Sequence, residues 1–575
     1  VDFMKPRQHA SSTGSTIAAT VATAALAILI ATILVSHPSA EDRRAGASSS
    51  AGAAPARQDA RDVRLVLFVM IDQFRYDYLT RFDSAYSGGL RRLLTDGAVF
   101  ANAYLEHYPT VTAPGHSTLT TGAMLSTSGI IGNDWFDRES GAQVTSVSDE
   151  GVRQLGGTAG AKGGASPHRL LVSTVSDELK MAARAAGAPA SRVIGMSLKD
   201  RGAILPAGRG ADAAYWFDTA SGQFVSSTYY FSDLPAWVKQ FNDRKIADSY
   251  ASKPWPGLTG AATPRVLPAA PGAELYGAVF GSPFGNDLLA RFAEQALDAE
   301  SLGQRDGAVD VLSVSFSSND SVGHAFGPDS PEVRAVSIDV DRTLGQLLAA
   351  VDRRVGLAHT LVVLSADHGV APLPEVLEGL KLPGGRLAQD ALFGPIQKAL
   401  ETRFGAGKWI QSTAGSSPYF NYTLMAERGV DVVEARRVAA QAAAAIPHVA
   451  RVYTRDQLLE GRVPSDLFSQ RVLRSFNPRR SGDLEILLDP YWIRQTAGTT
   501  HGSPYDYDAH IPLIFMGHGI RAGRYLQAAA MNDVAPTVAA WLQVTPPAGS
   551  VGRVLVEMRD ERAAAPDKRT ETQTR

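Results

Sequence analysis

The stretch at 63–71, VRLVLFVMI, is apolar apart from Arg64 near its start and partly β-branched, and Asp72 follows it at once. A run of this length without polar–apolar alternation reads as a strand buried on both faces. Similar runs lie at 192–198, 309–316, 359–365 and 511–516, and long helical patterns at 168–185, 286–302 and 333–354 separate them. Strands that alternate with helices predict an α/β chain: a central, mostly parallel sheet with helices on both faces. In such sheets a ligand sits beyond the carboxyl ends of the strands, which is where Asp72 falls.

The rest of the chain bounds what that sheet does. With 575 residues, two or three domains are expected, or one large domain with insertions. A net charge of -2 gives no sign of nucleic-acid binding. No cysteine is present, so disulfides, thiolate metal sites and cysteine nucleophiles are excluded. Residues 1–40 carry Lys5 and Arg7 before an uncharged run at 16–35, then small residues. This pattern predicts a cleaved secretory signal, placing the protein in the periplasm or outside the cell, or else a retained membrane anchor. Residues 41–62 read as a flexible linker, 63–556 as the main folded domain and 557–575 as a frayed tail. Two stretches fit the α/β plan poorly, at about 202–275 and 372–495. They are expected to be insertions that cap or wall the site. Residues 532–544 predict a closing helix.

Chemistry-bearing residues gather near the strand ends. Asp320 and His324 follow the 309–316 strand with D-x-x-x-H spacing, so one helical turn lets both meet one cation. Asp367, His368 and Gly369 follow the 359–365 strand, and His501 precedes the strand at 511–516. Three of twelve histidines thus flank core strands, two of them with aspartate partners. A mixed aspartate and imidazole set of this size suits two Zn²⁺ ions, the arrangement that serves in-line displacement at phosphorus. YPTVTAPGHS at 108–117 sets Thr110 and Thr112 just before a helix start, where N–H groups and dipole favour an anion. Asn133 can donate to a phosphoryl oxygen. Lys199 and Arg201 follow another strand at i, i+2, and in extended backbone both face one side.

These motifs resemble the alkaline phosphatase superfamily, in the branch shared by type I phosphodiesterases/nucleotide pyrophosphatases and threonine-nucleophile alkaline phosphatases. The carriers are Asp72 after VLFVMI, PTVTAPGH, IIGNDWFD, NDSVGH, ADHG and THGSPYDYDAHIP, in the family's order. The resemblance implies a nucleophilic Thr112, chosen over Thr110 on the family's pattern. It implies one zinc on Asp320, His324 and His501, and another on Asp72, Asp367, His368 and the Thr112 oxygen. It implies that Asn133, Lys199 and Arg201 bind the phosphate. The lysine–arginine pair marks the monoesterase branch, because a monoester carries one more charged oxygen than a diester. The expectation is therefore zinc-dependent hydrolysis of small phosphate monoesters through a phosphothreonine, with broad range and a role in phosphate scavenging. A phosphodiesterase or nucleotide pyrophosphatase is the alternative.

Overall fold

The computed structural model describes residues 62–158 and 163–560. The signal or anchor at 1–40, nearly all of the linker and most of the tail lie outside the described residues. The expected tail begins too early, because Val556–Met558 forms a 3-10 turn whose Met558 is fully buried.

The strands of the main sheet, in chain order, are β1 (Leu65–Ile71), β2 (Ala98–Phe100), β3 (Ser148–Leu155), β4 (Gly163–Ala165), β5 (Val193–Ser197), β6 (Ala213–Asp218), β7 (Gln223–Ser227), β8 (Asp310–Phe316), β9 (Thr360–Ser365), β10 (Leu513–Gly517) and β11 (Gly523–Tyr525). Their order across the sheet is β11-β2-β10-β9-β1-β8-β5-β6-β7-β3-β4. The central run from β9 to β6 is parallel throughout, and antiparallel pairs begin on either side of it. Every residue of β1, β8 and β9 is buried, so side chains pointing to either face are covered. That is the physical content of the unbroken apolar runs.

Eight helices matter for the site: α1 (Gly89–Asp96), α2 (Thr112–Thr121), α3 (Val175–Ala185), α4 (Asp200–Ala207), α5 (Pro283–Ala299), α6 (Ser318–Phe326), α7 (Pro331–Arg354) and α8 (Val534–Leu542). Helix α3 starts later than its periodicity suggests, because Thr174 and Asp177 form a reciprocal capping box that sets its first turn. Helix α2 is buried along its whole length and packs against α4 and α8.

Register brings the functional segments together. Ile71 pairs with Phe316 and Met70 with Ser365, so β1, β8 and β9 end level with one another. The Asp72 N–H continues the ladder by donating to the Phe316 carbonyl at 2.9 Å. The residues that follow the three strands therefore emerge side by side.

The segment at 202–275 departs from its expected role as an insertion. Residues 200–207 form α4, and β6 and β7 extend the central sheet. The aromatic content that suggested a wall is sheet and helix packing: Tyr215 meets Trp237 and Phe292 edge-on, and Phe224 stacks on Phe292. Residues 372–495 instead build their own apolar cluster, with Leu392, Ile396, Trp409, Ala439 and Ile486 at its centre. A smaller cluster joins Tyr108 to Tyr453, Val472, Phe476 and Leu487 of that segment. The segment thereby packs on the chain that enters α2.

One buried carboxylate ties α1 to α7. Asp341 accepts from the backbone N–H groups of Ser87, Gly88, Leu90 and Arg91 at 2.7–3.2 Å. These are donors that α1 cannot satisfy internally. Asp341→Ala is expected to cost about 3 kcal/mol, because it strands buried N–H groups. Urea unfolding of the variant checks this, and a loss below about 0.5 kcal/mol would refute the capping role.

Candidate functional site

Asp72 leaves β1 into the space between β8 and β9, and three carboxylates meet there. Lys199 Nζ donates to Asp72 Oδ2 and to Asp320 Oδ2, both at 2.6 Å. His368 Nε2 lies 3.5 Å from Asp72 Oδ1 and 3.5 Å from Asp367 Oδ2. On the other side of Asp320, its Oδ1 is 3.2 Å from His324 Nε2 and 3.6 Å from His501 Nε2. The His501 ring stacks on His368 with centroids 3.5 Å apart. The six carboxylate and imidazole candidates among the metal ligands thus occupy one continuous cluster.

Local structure explains each placement. Asp320 and His324 sit on α6 at i, i+4, on one face of the helix. Asp367 and His368 occupy the turn directly after β9. His501 arrives on the loop before β10, held as its Nδ1–H donates to the Thr110 carbonyl at 2.9 Å. His324 and His368 do the same, with Nδ1 to Thr499 O at 2.7 Å and to Gly369 O at 2.9 Å. A carbonyl can only accept, so all three rings carry a proton on Nδ1 and turn Nε2 toward the cluster. At His324 burial lowers the imidazole pKa, but the Asp320 carboxylate beside Nε2 more than reverses this and raises it.

The donor set fits a divalent cation. Asp72 Oδ1, Asp367 Oδ2 and His368 Nε2 are buried without a hydrogen-bond partner among the described residues. Two carboxylate oxygens lie 3.5 Å from the imidazole nitrogen, and three lone-pair atoms so placed repel one another unless positive charge lies between them. Burial, and next the charges of Asp320 and Asp367, push the Asp72 carboxyl well above the usual carboxylate range. Burial lowers His368 and holds His501 well below the usual imidazole value, so both rings are neutral as ligation requires. One carboxylate–imidazole group is Asp320, His324 and His501; a second is Asp72, Asp320 and His368, and Asp367 stands against the latter.

Thr112 is the first residue of α2 and is buried. Its hydroxyl makes no hydrogen bond among the described residues, whereas the Thr110 hydroxyl donates to Ser503 O at 2.7 Å. Asn133 Oδ1 accepts from the Ala113 N–H at 2.8 Å, capping α2 from outside the helix. That bond fixes the amide orientation and leaves both Nδ2 protons for another acceptor. Gly115 lets α2 touch the end of β9: a Cβ there would lie 2.4 Å from the Asp367 carbonyl oxygen.

Lys199 and Arg201 do not share an extended backbone. Lys199 is the N-cap residue of α4, and Arg201 lies in the first turn. Lys199 is nearly buried between Asp72 and Asp320, while Arg201 stays half-buried beside Asp200, with its Nε buried and unpartnered.

Sequence reasoning missed two residues. His116 lies on α2 one turn after Thr112, donates from Nδ1 to the Thr112 carbonyl at 2.8 Å, and approaches Asp367 Oδ2 at 3.2 Å. Its i, i+4 spacing from Thr112 was the available signal. Gln73 follows Asp72 with φ 61°, a left-handed conformation. Its backbone N–H donates to Asp367 Oδ1 at 3.1 Å and its Nε2 to Asp320 Oδ1 at 2.5 Å. It packs on Gly323 of α6, where a Cβ would lie 1.7 Å from Gln73 Oε1. Nothing in the spacing marks it.

The chain matches the family model for type I phosphodiesterase/nucleotide pyrophosphatase over residues 66–508. It is 36% identical to alkaline phosphatase PafA of Elizabethkingia meningoseptica, covering 86% of this chain and 94% of that one. It is 35% identical to a calcium-transporting ATPase of Myroides odoratus, with 86% and 94% covered, and 35% identical to alkaline phosphatase PhoV of Synechococcus elongatus, with 86% and 92% covered. The crystal structure of PafA superimposes with a TM-score of 0.80 at 35% identity, covering 87% of this chain and 99% of that chain. A PafA variant substituted at a threonine, an asparagine, a lysine and an arginine superimposes at 0.79 with 34% identity, over 87% and 99%.

Gln73→Ala is expected to weaken divalent-cation binding about 10–100-fold, as loss of an outer partner does. Zinc titration of the metal-stripped protein against a competing chelator measures this. Affinity equal to the wild type would refute the bracing role.

Proposed function

Because the chain belongs to the type I phosphodiesterase/nucleotide pyrophosphatase family, we propose that it is an alkaline phosphatase, hydrolysing phosphate monoesters through a phosphothreonine on Thr112. The observation that carries the monoesterase reading is the cationic pair on α4: Lys199 at the junction of Asp72 and Asp320, and Arg201 one helical step on with an unpartnered buried Nε. A monoester presents an additional charged oxygen to such a pair, whereas a diester replaces it with an ester group. The PafA variant supports the same set of four. Its threonine and asparagine, and its lysine and arginine, are separated by the intervals that separate Thr112 from Asn133 and Lys199 from Arg201. The relative named as an ATPase fits this chemistry, since a terminal phosphate also presents several charged oxygens to a site.

Asp320, His324 and His501 would hold one zinc ion, and Asp72, Asp367, His368 and the Thr112 oxygen a second. When bound, the ions supply charge neutralisation at the phosphoryl and leaving oxygens and a lowered hydroxyl pKa. The chain's own residues do the rest. The first turn of α2 places the Thr112 hydroxyl where N–H groups and dipole meet a phosphate. Asn133, its carbonyl spent on Ala113, donates through Nδ2 to a phosphoryl oxygen. Lys199 and Arg201 face the remaining oxygens, so charge spreading in the transition state meets donors already in place. Thr112 gives its hydroxyl proton to solvent, its Oγ1 bonds to phosphorus as the bond to the alcohol oxygen breaks, and the alcohol leaves with a proton from solvent. Water then bonds to phosphorus, the Thr112 oxygen is released, and inorganic phosphate departs. Export through the segment at 1–40, and phosphate scavenging with it, belong to this reading on the sequence pattern.

Thr112→Ala is expected to lower kcat on aryl phosphate by about 10³-fold or more, with bound zinc retained. Rapid-quench mass measurement should find phosphate on Thr112 in the wild type. Normal turnover by the alanine variant would end the proposal, as would full activity with fewer than two bound divalent ions. Arg201→Ala is expected to lower kcat/KM on aryl phosphate about 100-fold and on the bis-aryl diester far less. Equal losses, or a wild type faster on the diester, would favour the diesterase alternative.

A further inference from the structure

A cavity of about 430 Å³ opens from Asn133, His324 and His501 into the segment at 372–495. On the reading above, the alcohol portion of the substrate occupies this space. Its wall contains four carboxylates, Asp134, Glu485, Asp489 and Asp508, and one Lys or Arg side chain, Arg494.

Each carboxylate already has a partner. Asp134 accepts from Gln143 at 2.8 Å, Glu485 from Ser417 at 2.5 Å, and Asp508 from the Ser503 hydroxyl at 2.6 Å; Asp489 faces His448 at 3.5 Å. Arg494 does not. Its Nη1 donates to the Gly415 carbonyl, and no carboxylate pairs with its guanidinium among the described residues. Burial pushes its pKa below the ordinary guanidinium value, an effect that Asp134 opposes without reversing. The nearby Arg386 shows the contrast, with its fork spent on Glu375 and on the Gln495 and Gly498 carbonyls.

The position of Arg494 is fixed. Ile493 ends a short strand that pairs with Gly385–Arg386, and its carbonyl accepts from the Leu387 N–H at 2.8 Å. The hydrogen bond to Gly415 at the tip of the 410–420 hairpin orients the guanidinium from the other side. A planar cation held by its backbone and one hydrogen bond keeps most of its donors for an incoming group. A half-buried cation without an anion is less favourably solvated than one in open water, and an arriving anion offsets that loss.

We propose that Arg494 forms a subsite for a second anionic group, a carboxylate or a further phosphate, carried on the alcohol of the phosphate monoester. The segment at 372–495 then acts as more than a wall: it sorts substrates by the charge on their leaving group. This rests on the monoesterase reading and deepens it. Discrimination arises because a substrate lacking the group forgoes a charge-assisted hydrogen bond to a guanidinium already held in place.

The test compares phenyl phosphate with 3-carboxyphenyl phosphate and with a propanediol bisphosphate. The ratio of kcat/KM for either doubly anionic ester to that for phenyl phosphate should fall about tenfold in Arg494→Met, with part of the ratio restored in Arg494→Lys. A fall with only the carboxylate or only the bisphosphate names which anion the subsite takes. A second measurement needs no turnover: calorimetry on the wild type should show 3-hydroxybenzoate binding about tenfold more tightly than phenol, and the methionine variant should not distinguish them. A ratio and a binding preference that are the same in wild type and Arg494→Met overturn the proposal. Failure of the wild type to hydrolyse phenyl phosphate would count against the monoesterase reading instead, and the binding comparison would still decide the subsite.

Discussion

Three carboxylates forced together at the ends of three parallel strands are the constraint on which this molecule depends. Asp72, Asp320 and Asp367 are buried, and two of them share the ammonium of Lys199. Like charges at this range repel strongly in a medium of low polarisability, so the fold has to supply positive charge or lose its geometry. Lys199 supplies one such charge. The neutral imidazoles of His368 and His501 supply lone pairs that call for more. Charge balance therefore links the stability of the sheet's carboxyl edge to the chemistry performed there.

The scaffold meets this constraint by rigidity. Strands β1, β8 and β9 are covered on both faces, and their level ends leave no freedom in where the next residue emerges. Helix α2 is buried along its length and touches Asp367 through Gly115, so the hydroxyl at its start and the carboxylates move as one body. Gln73 and His116 close the gaps between these parts. Both hold carboxylate-bearing segments through short polar contacts, in positions where solvent would otherwise solvate the carboxylates separately. The segment at 372–495 has its own apolar core and reaches the cavity only through its edge. Variation there can change what enters without disturbing what reacts.

The core strands, and the aspartates and histidines just beyond them, were legible because each follows a simple local rule, whereas His501 joined the set through its THGSPYDYDAHIP motif. A doubly covered strand is apolar at every position, and a residue just beyond it points to the carboxyl edge. D-x-x-x-H needs only one helical turn. Lys199 and Arg201 were placed near the site, but for the wrong local reason: two-residue spacing suggested extended backbone, and α4 begins at this point instead. The aromatic stretch at 202–275 resembled an insertion because aromatic clusters serve walls and cores alike. Only strand pairing showed that β6 and β7 extend the sheet. The left-handed turn at Gln73 left no trace in spacing or composition.

By itself the chain of residues determined which segments are strands and helices and which side chains stand beyond the strand ends, because hydrophobic periodicity is local. Tertiary structure decided how far apart those side chains stand, which proton each imidazole keeps, and which charges remain unpaired. These depend on carbonyls and carboxylates brought from positions hundreds of residues apart, such as Thr110 under His501 and Asp320 against Gln73. Arg494 is the sharpest case. In sequence it is one arginine in a polar stretch; in the folded chain it lines the cavity with no carboxylate paired to it among the described residues, because the neighbouring carboxylates are engaged elsewhere.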